Sequence, residues 1–154
     1  MKREQMKHEK LNREQLLALI PHAGTMCLLD SVEDYDESRI VCNSMSHQRD
    51  DNPLLTNARL SSIHAIEYGA QAMAVHGGLL AQKDNKNIQQ GYLVALRDIK
   101  LSCEYLDDLM NPLEVTAEKI MAQGTSLIYS FRVGSNNNVV ASGRVTVIQL
   151  GEQT

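Results

Sequence analysis

The stretch Leu60-Ser61-Ser62-Ile63-His64-Ala65-Ile66-Glu67-Tyr68-Gly69-Ala70-Gln71-Ala72-Met73-Ala74-Val75-His76-Gly77-Gly78-Leu79-Leu80 decides the fold. Its apolar positions Ile63, Ile66, Ala70, Met73, Gly77 and Leu80 recur at steps of three and four, the period of a helix with one buried stripe. Ser61 or Ser62 is available as its N-cap. Ala65, Gly69, Ala70, Ala72, Ala74, Gly77 and Gly78 crowd its middle, although glycine costs up to about 1 kcal/mol at each helical site. Such smallness predicts a helix around which other backbone wraps closely.

On the N-terminal side, residues 1–10 are polar, lack periodicity and are expected to be flexible. Asn12-Arg13-Glu14-Gln15 matches a capping box leading into Leu16–Ile20, a short helix that ends at Pro21. Met26–Val32 reads as a strand, Asp34–Ser38 as a polar turn and Arg39–Cys42 as the returning strand. Between His47 and Leu60 no period survives, which makes a long loop, and long ordered loops tend to be functional. On the C-terminal side the period switches to two from Tyr92 toward Leu101, and Leu113–Met121, Leu127–Val133 and Val139–Ile148 follow. Turns at Gln123-Gly124 and Gly134–Asn138 separate the last three. The order predicts an α+β domain, residues 1–154, in which an antiparallel sheet covers one long helix.

The 154 residues carry 15 Lys plus Arg against 19 Asp plus Glu, and the net charge of -4 argues against nucleic acid as a partner. The start is charged, and the run Leu16–Ile20 is far too short to span a membrane, so neither a secretory leader nor a membrane span is expected. Cys27, Cys42 and Cys103 are odd in number and widely spaced, which suits reduced core thiols in the cytoplasm. With no Trp and one Phe, the core must rest on aliphatic residues, Ala, Gly and Met.

Chemistry-bearing residues gather on the long helix. At about 100° per residue, His64, Glu67 and Gln71 share one margin of the apolar stripe, where a carboxylate is expected to be half buried. Burial without a cationic partner favours a protonated carboxyl group, the form a general acid needs. A solvated or salt-bridged border Glu is the alternative. His22, beyond the first helix, and His47, at the start of the long loop, are candidate bases or ordinary loop histidines. His64 and Glu67 have the spacing of two metal ligands, but no third or fourth ligand follows, so no metal is expected. His8 and His76 are expected to face solvent. No Gly-x-Ser-x-Gly elbow, phosphate loop or dinucleotide fingerprint is present.

Taken together, Ile63–Ala72 resembles the central helix of the β-hydroxyacyl-(acyl carrier protein) dehydratases, and Ile20-Pro21-His22 through Leu28-Leu29-Asp30 resembles their early elements. The string His47-x4-Asn52-Pro53-Leu54, Leu60, Ile66-Glu67-Tyr68, Ala70–Ala74 and His76-Gly77 is similar to the dehydratase-like branch of aryl polyene clusters. The resemblance covers about residues 15–149 and implies the hotdog fold, an antiparallel sheet wrapped around one long central helix. It further implies dehydration of a 3-hydroxyacyl thioester carried by acyl carrier protein or coenzyme A, without cofactor or metal, in a homodimer or a heterodimer with another hotdog subunit. Carried over residue by residue, it makes Glu67 the acid and places Ser62, Ile63, His64, Gln71 and Asn52 at the substrate. The family's loop histidine has no counterpart in Asp50-Asp51-Asn52-Pro53-Leu54, leaving His22 and His47 as substitutes. A half-site subunit completed by another hotdog chain and an acyl thioesterase remain as alternatives.

Overall fold

The computed structural model describes residues 10–20, 26–87 and 91–149. The expectations for residues 1–9 and for His22 fall outside them.

Asn12 caps α1 (Arg13–Leu19) through a reciprocal box: its Oδ1 accepts from Gln15 N at 2.9 Å and Gln15 Oε1 accepts from Asn12 N at 3.0 Å. Leu16 and Leu19 are its buried face. The expected strand at Met26–Val32 is displaced: Met26–Asp30 runs outside the sheet and β1 spans Ser31–Tyr35. The reason is a side chain. Gln71 of the long helix takes the backbone groups of this segment, its Oε1 accepting from Leu28 N at 2.8 Å and its Nε2 donating to Met26 O at 2.7 Å. Asp36 closes the turn into β2 (Arg39–Ser44) by accepting from Ser38 N and Arg39 N.

A 3-10 turn, Ser62–His64, with Ser61 accepting from Ile63 N, leads into α2 (Ala65–Lys83). β3 (Gly91–Leu101), β4 (Leu113–Gln123), β5 (Ser126–Ser135) and β6 (Asn138–Gln149) complete one six-stranded sheet. Its order is β1-β2-β4-β5-β6-β3, antiparallel throughout. The late hairpins turn on residues that tolerate positive φ, Gly124 at +59° and Asn136 and Asn137 at 52° and 66°.

Helix α2 packs on the face of the sheet that carries Val115, Ala117, Tyr129, Phe131, Val133 and Val145. Its small residues admit a ring and a side chain rather than encircling backbone alone. A Cβ on Gly69 would lie 2.7 Å from the Phe131 ring, and one on Gly78 would lie 3.3 Å from both the side chain and the carbonyl of Leu19. The expected solvent position of His76 is overturned. It is 0% exposed, with Nε2 2.8 Å from Asp36 O and Nδ1 2.7 Å from Tyr129 Oη. A carbonyl only accepts, so Nε2 carries the proton and Nδ1 accepts from the tyrosine hydroxyl. The helix turns this position toward the β1–β2 hairpin and β5, which wrap the side taken to be open.

β3 is the far edge of the sheet. Tyr92, Leu93, Val94 and Leu96 are all exposed, on both faces of the strand. Alternation along this edge strand therefore does not hide one set of side chains, because no strand of the described residues pairs beyond it.

Candidate active site

Glu67 stands in the first turn of α2 and is exposed, not half buried as the stripe geometry suggests. Among the described residues no element covers that margin of the helix. Its Oε1 accepts a 3.3 Å hydrogen bond from Gln71 Nε2, one turn on. Gln71 is itself buried and held by Leu28 N and Met26 O, so the carboxylate is tethered to a fixed amide. His64, one turn before Glu67, is partly exposed.

Just behind Glu67 the helix buries Tyr68, and a polar cluster converges on its hydroxyl. Ser46 Oγ lies 2.6 Å away, Asn52 Nδ2 donates at 3.3 Å, and Ser46 Oγ also donates to Leu28 O at 2.7 Å. Asn52 further donates to Ser46 O at 2.9 Å and accepts from Leu54 N at 2.9 Å. Asn52 is thus the brace that shapes the loop under α2, with both ends of its amide occupied. Burial pushes the Tyr68 hydroxyl upward against the pull of Ser46 and Asn52, keeping it a neutral donor. Asp30 fastens the same loop: it accepts from Met45 N at 2.7 Å and pairs with Arg13 and Arg49. Sequence reading missed Tyr68, Ser46 and Asp30 as a unit because the expected stripe is not the buried face: Ile63 is exposed and Ile66, Ala70, Gly77 and Leu80 are only partly buried, while Tyr68, Ala72, Val75 and Leu79 on the opposite side of α2 pack inward.

The loop does not deliver His47 to Glu67. His47 is 1% exposed, and its Nε2 lies 2.8 Å from Leu109 O, which assigns the proton to Nε2. Its Nδ1 is enclosed without a hydrogen-bond partner. Burial lowers its pKa, opposed by the Leu109 carbonyl. No hydrogen bond joins His47, His64 or His76 to Glu67 among the described residues.

The backbone amides at the start of the helical segment are partly committed as well. Ser62 is buried with its N donating to Glu104 O at 2.9 Å, and His64 N donates to Ser61 O at 3.1 Å. Ile63 is exposed, and its N reaches Ser61 Oγ only at 3.4 Å, the weakest of the three bonds. Of the cysteines, Cys27 and Cys42 are buried and unpaired, and burial pushes the Cys42 thiol up to about 12. Among the described residues no His, Cys, Asp and Glu side chains gather in threes as a metal site needs, and no helix is long and apolar enough to cross a membrane.

A sheet packed over one long helix, with a tethered carboxylate at the helix margin, defines a hotdog-fold protein. The fold is similar to that of "The Dehydratase Heterocomplex ApeI:P from Xenorhabdus doucetiae", at TM-score 0.79 and 20% identity, covering 92% of this chain and 93% of that one. A putative thioesterase from Shewanella oneidensis matches at TM-score 0.62 and 8% identity over 90% and 94% of the two chains. A hypothetical thioesterase from Streptococcus pneumoniae, solved with coenzyme A, matches at 0.58 and 12% over 80% and 87%. At these identities the likeness shows the fold. The family is shown by sequence: the profile of the ApeP-like family, described as ApeP dehydratase, matches residues 14–154, and the chain belongs to that family. Comparison with curated proteins found no match.

Proposed function

We propose that this chain takes part in dehydrating a 3-hydroxyacyl thioester delivered on acyl carrier protein, with Glu67 as the general acid. In that reaction a base removes the proton α to the thioester, the Cα–Cβ double bond forms, and Glu67 protonates the β-hydroxyl, which leaves as water. The Ile63 amide, at the N-terminal end of the helical segment and only weakly engaged, is suited to polarise the thioester carbonyl. His64 and Gln71 flank the carboxylate; Ser62 and Asn52 hold the backbone that frames it. No cofactor or metal enters this scheme, and a cytoplasmic setting agrees with three unpaired cysteines.

The observation that carries this reading is the exposed, Gln71-tethered carboxylate of Glu67 within a chain that matches a dehydratase family along almost its full length. A second observation favours the half-site form. His47 makes no hydrogen bond to Glu67 within the chain and keeps its Nδ1 lone pair, so the base is His22, or His47 or another histidine contributed by a second hotdog chain laid over the open margin of α2. Covering Glu67 in this way would also supply the burial that a carboxyl group needs to hold a proton near neutral pH. The ApeI:P structure is a dehydratase heterocomplex, which supports a heteromeric assembly for this chain too.

Mass-spectrometric loss of water from a 3-hydroxyacyl carrier-protein substrate tests the reading, with the pure chain and with a candidate partner added. Dependence on Glu67 supports it. Release of free thiol with the β-hydroxyl retained would assign thioesterase chemistry instead.

A further inference from the structure

The outer face of the sheet concentrates unpaired cations beside its open edge. Arg144 on β6 stands directly opposite Arg97 on β3, and Ser142 opposite Lys100, while on the other side Ser130 and Arg132 of β5 face Arg144 and Ser142. Arg97, Lys100, Arg132 and Arg144 are all exposed. None forms an ion pair among the described residues, whereas Lys10, Arg13, Arg49, Arg59 and Lys83 do. The neighbouring carboxylates are Asp98, lifted out on a bulge with φ 54°, and Glu114 and Glu118 on β4, which flank Arg132. Like charges directly opposite one another weaken a sheet, so this arrangement costs the isolated chain stability.

The same strand is divided along its length. Its first half, Tyr92–Leu96, is exposed and apolar, and its second half carries Arg97 and Lys100. If two copies paired antiparallel through β3 with full overlap, the twofold axis would fall at Leu96, the middle of Gly91–Leu101. Each Arg97 would then stand diagonal to its copy, roughly 7–8 Å away, with Arg144 behind it. The cationic half of one strand would also lie against the apolar half of the other.

We propose that β3 disfavours pairing with a second copy of this chain and selects a different sheet edge, one that carries carboxylates on its outer face where it runs beside Arg97, Lys100 and Arg144. This rests on the heteromeric reading above and adds the chemistry of the partner. Apolar contact at Tyr92–Leu96 supplies the adhesion; the cations supply the choice.

The test uses the full chain and a charge-reversed version of itself. Sedimentation equilibrium of the wild type at 50 and 500 mM NaCl should show weak self-association that strengthens about tenfold or more at high salt, because screening relieves repulsion. Native mass spectrometry of an equimolar mixture with R97E/K100E should give mixed dimers in excess of either homodimer. The milder R97Q/K100Q variant, with circular dichroism to verify folding, should strengthen self-association at low salt and serves if the reversed chain does not fold. A tight wild-type homodimer, indifferent to salt and to neutralisation of Arg97 and Lys100, overturns the proposal. So does unchanged association combined with slower turnover of a carrier-protein substrate but not of a pantetheine substrate, which would assign the cations to carrier docking. The sedimentation and native mass-spectrometric readings need no catalysis, so they fail independently of the dehydratase assignment.

Discussion

At Gly69 the packing argument is sharpest, because the absent Cβ is where the Phe131 ring lies. Gly69→Ala gains helix propensity but must displace that ring, and overpacking of this kind costs about 1–3 kcal/mol; a urea midpoint at unchanged slope measures it. Gln71 was legible from spacing as a neighbour of Glu67, yet its main work, holding Leu28 N and Met26 O, depends on a segment more than forty residues away and left no local sign. Truncation to Ala would strand two backbone groups, and the expected loss of about 1–3 kcal/mol reads out in the same titration. His76 was misjudged for the same reason: helical periodicity gives an angle, while the partners Asp36 and Tyr129 arrive by tertiary packing. Burial holds its pKa below the ordinary value, with the Asp36 carbonyl opposing. The unfolded chain therefore takes up a proton that the folded chain resists. Stability is full above the unfolded pKa, roughly 6.5, and falls as pH drops below it. His47, also lowered by burial, adds in the same direction. Urea titrations between pH 7.5 and 5 check this, and His76→Gln should flatten the slope while lowering the baseline.

Among the elements, the capping box of α1 was fully readable, since both of its hydrogen bonds lie within four consecutive residues. Asn12→Ala should cost about 0.5–2 kcal/mol, seen as a lowered thermal midpoint with the long helix still formed. The late hairpins were readable too, because Gly124, Asn136 and Asn137 announce positive φ in the sequence itself. β1 was not. Leu28 and Leu29 are buried as a strand's would be, but in an extended segment bonded to a side chain, and period-two hydrophobicity does not distinguish the two. The exposure of β3 was equally hidden: an edge strand with exposed apolar side chains looks like a core strand when read alone.

The fold, taken whole, followed from one helix and the count of strands after it, and the family from the residues of that helix. The site did not, because tertiary packing decides which side chains come to Glu67. Glu67 is open on the margin that periodicity called half buried, and His47, a readable substitute for the family's loop histidine, is buried with its Nε2 on Leu109 O and makes no hydrogen bond to Glu67 within the chain. The measurement that tests this account most directly is loss of water from a 3-hydroxyacyl carrier-protein substrate, followed by mass spectrometry, with Glu67→Gln in parallel. The account predicts dehydration that falls by about 10²–10⁴ in the variant, the range a general acid contributes, in the assembly with a partner hotdog chain if the pure chain is silent. Full activity of folded Glu67→Gln under the condition where the wild type works would contradict it.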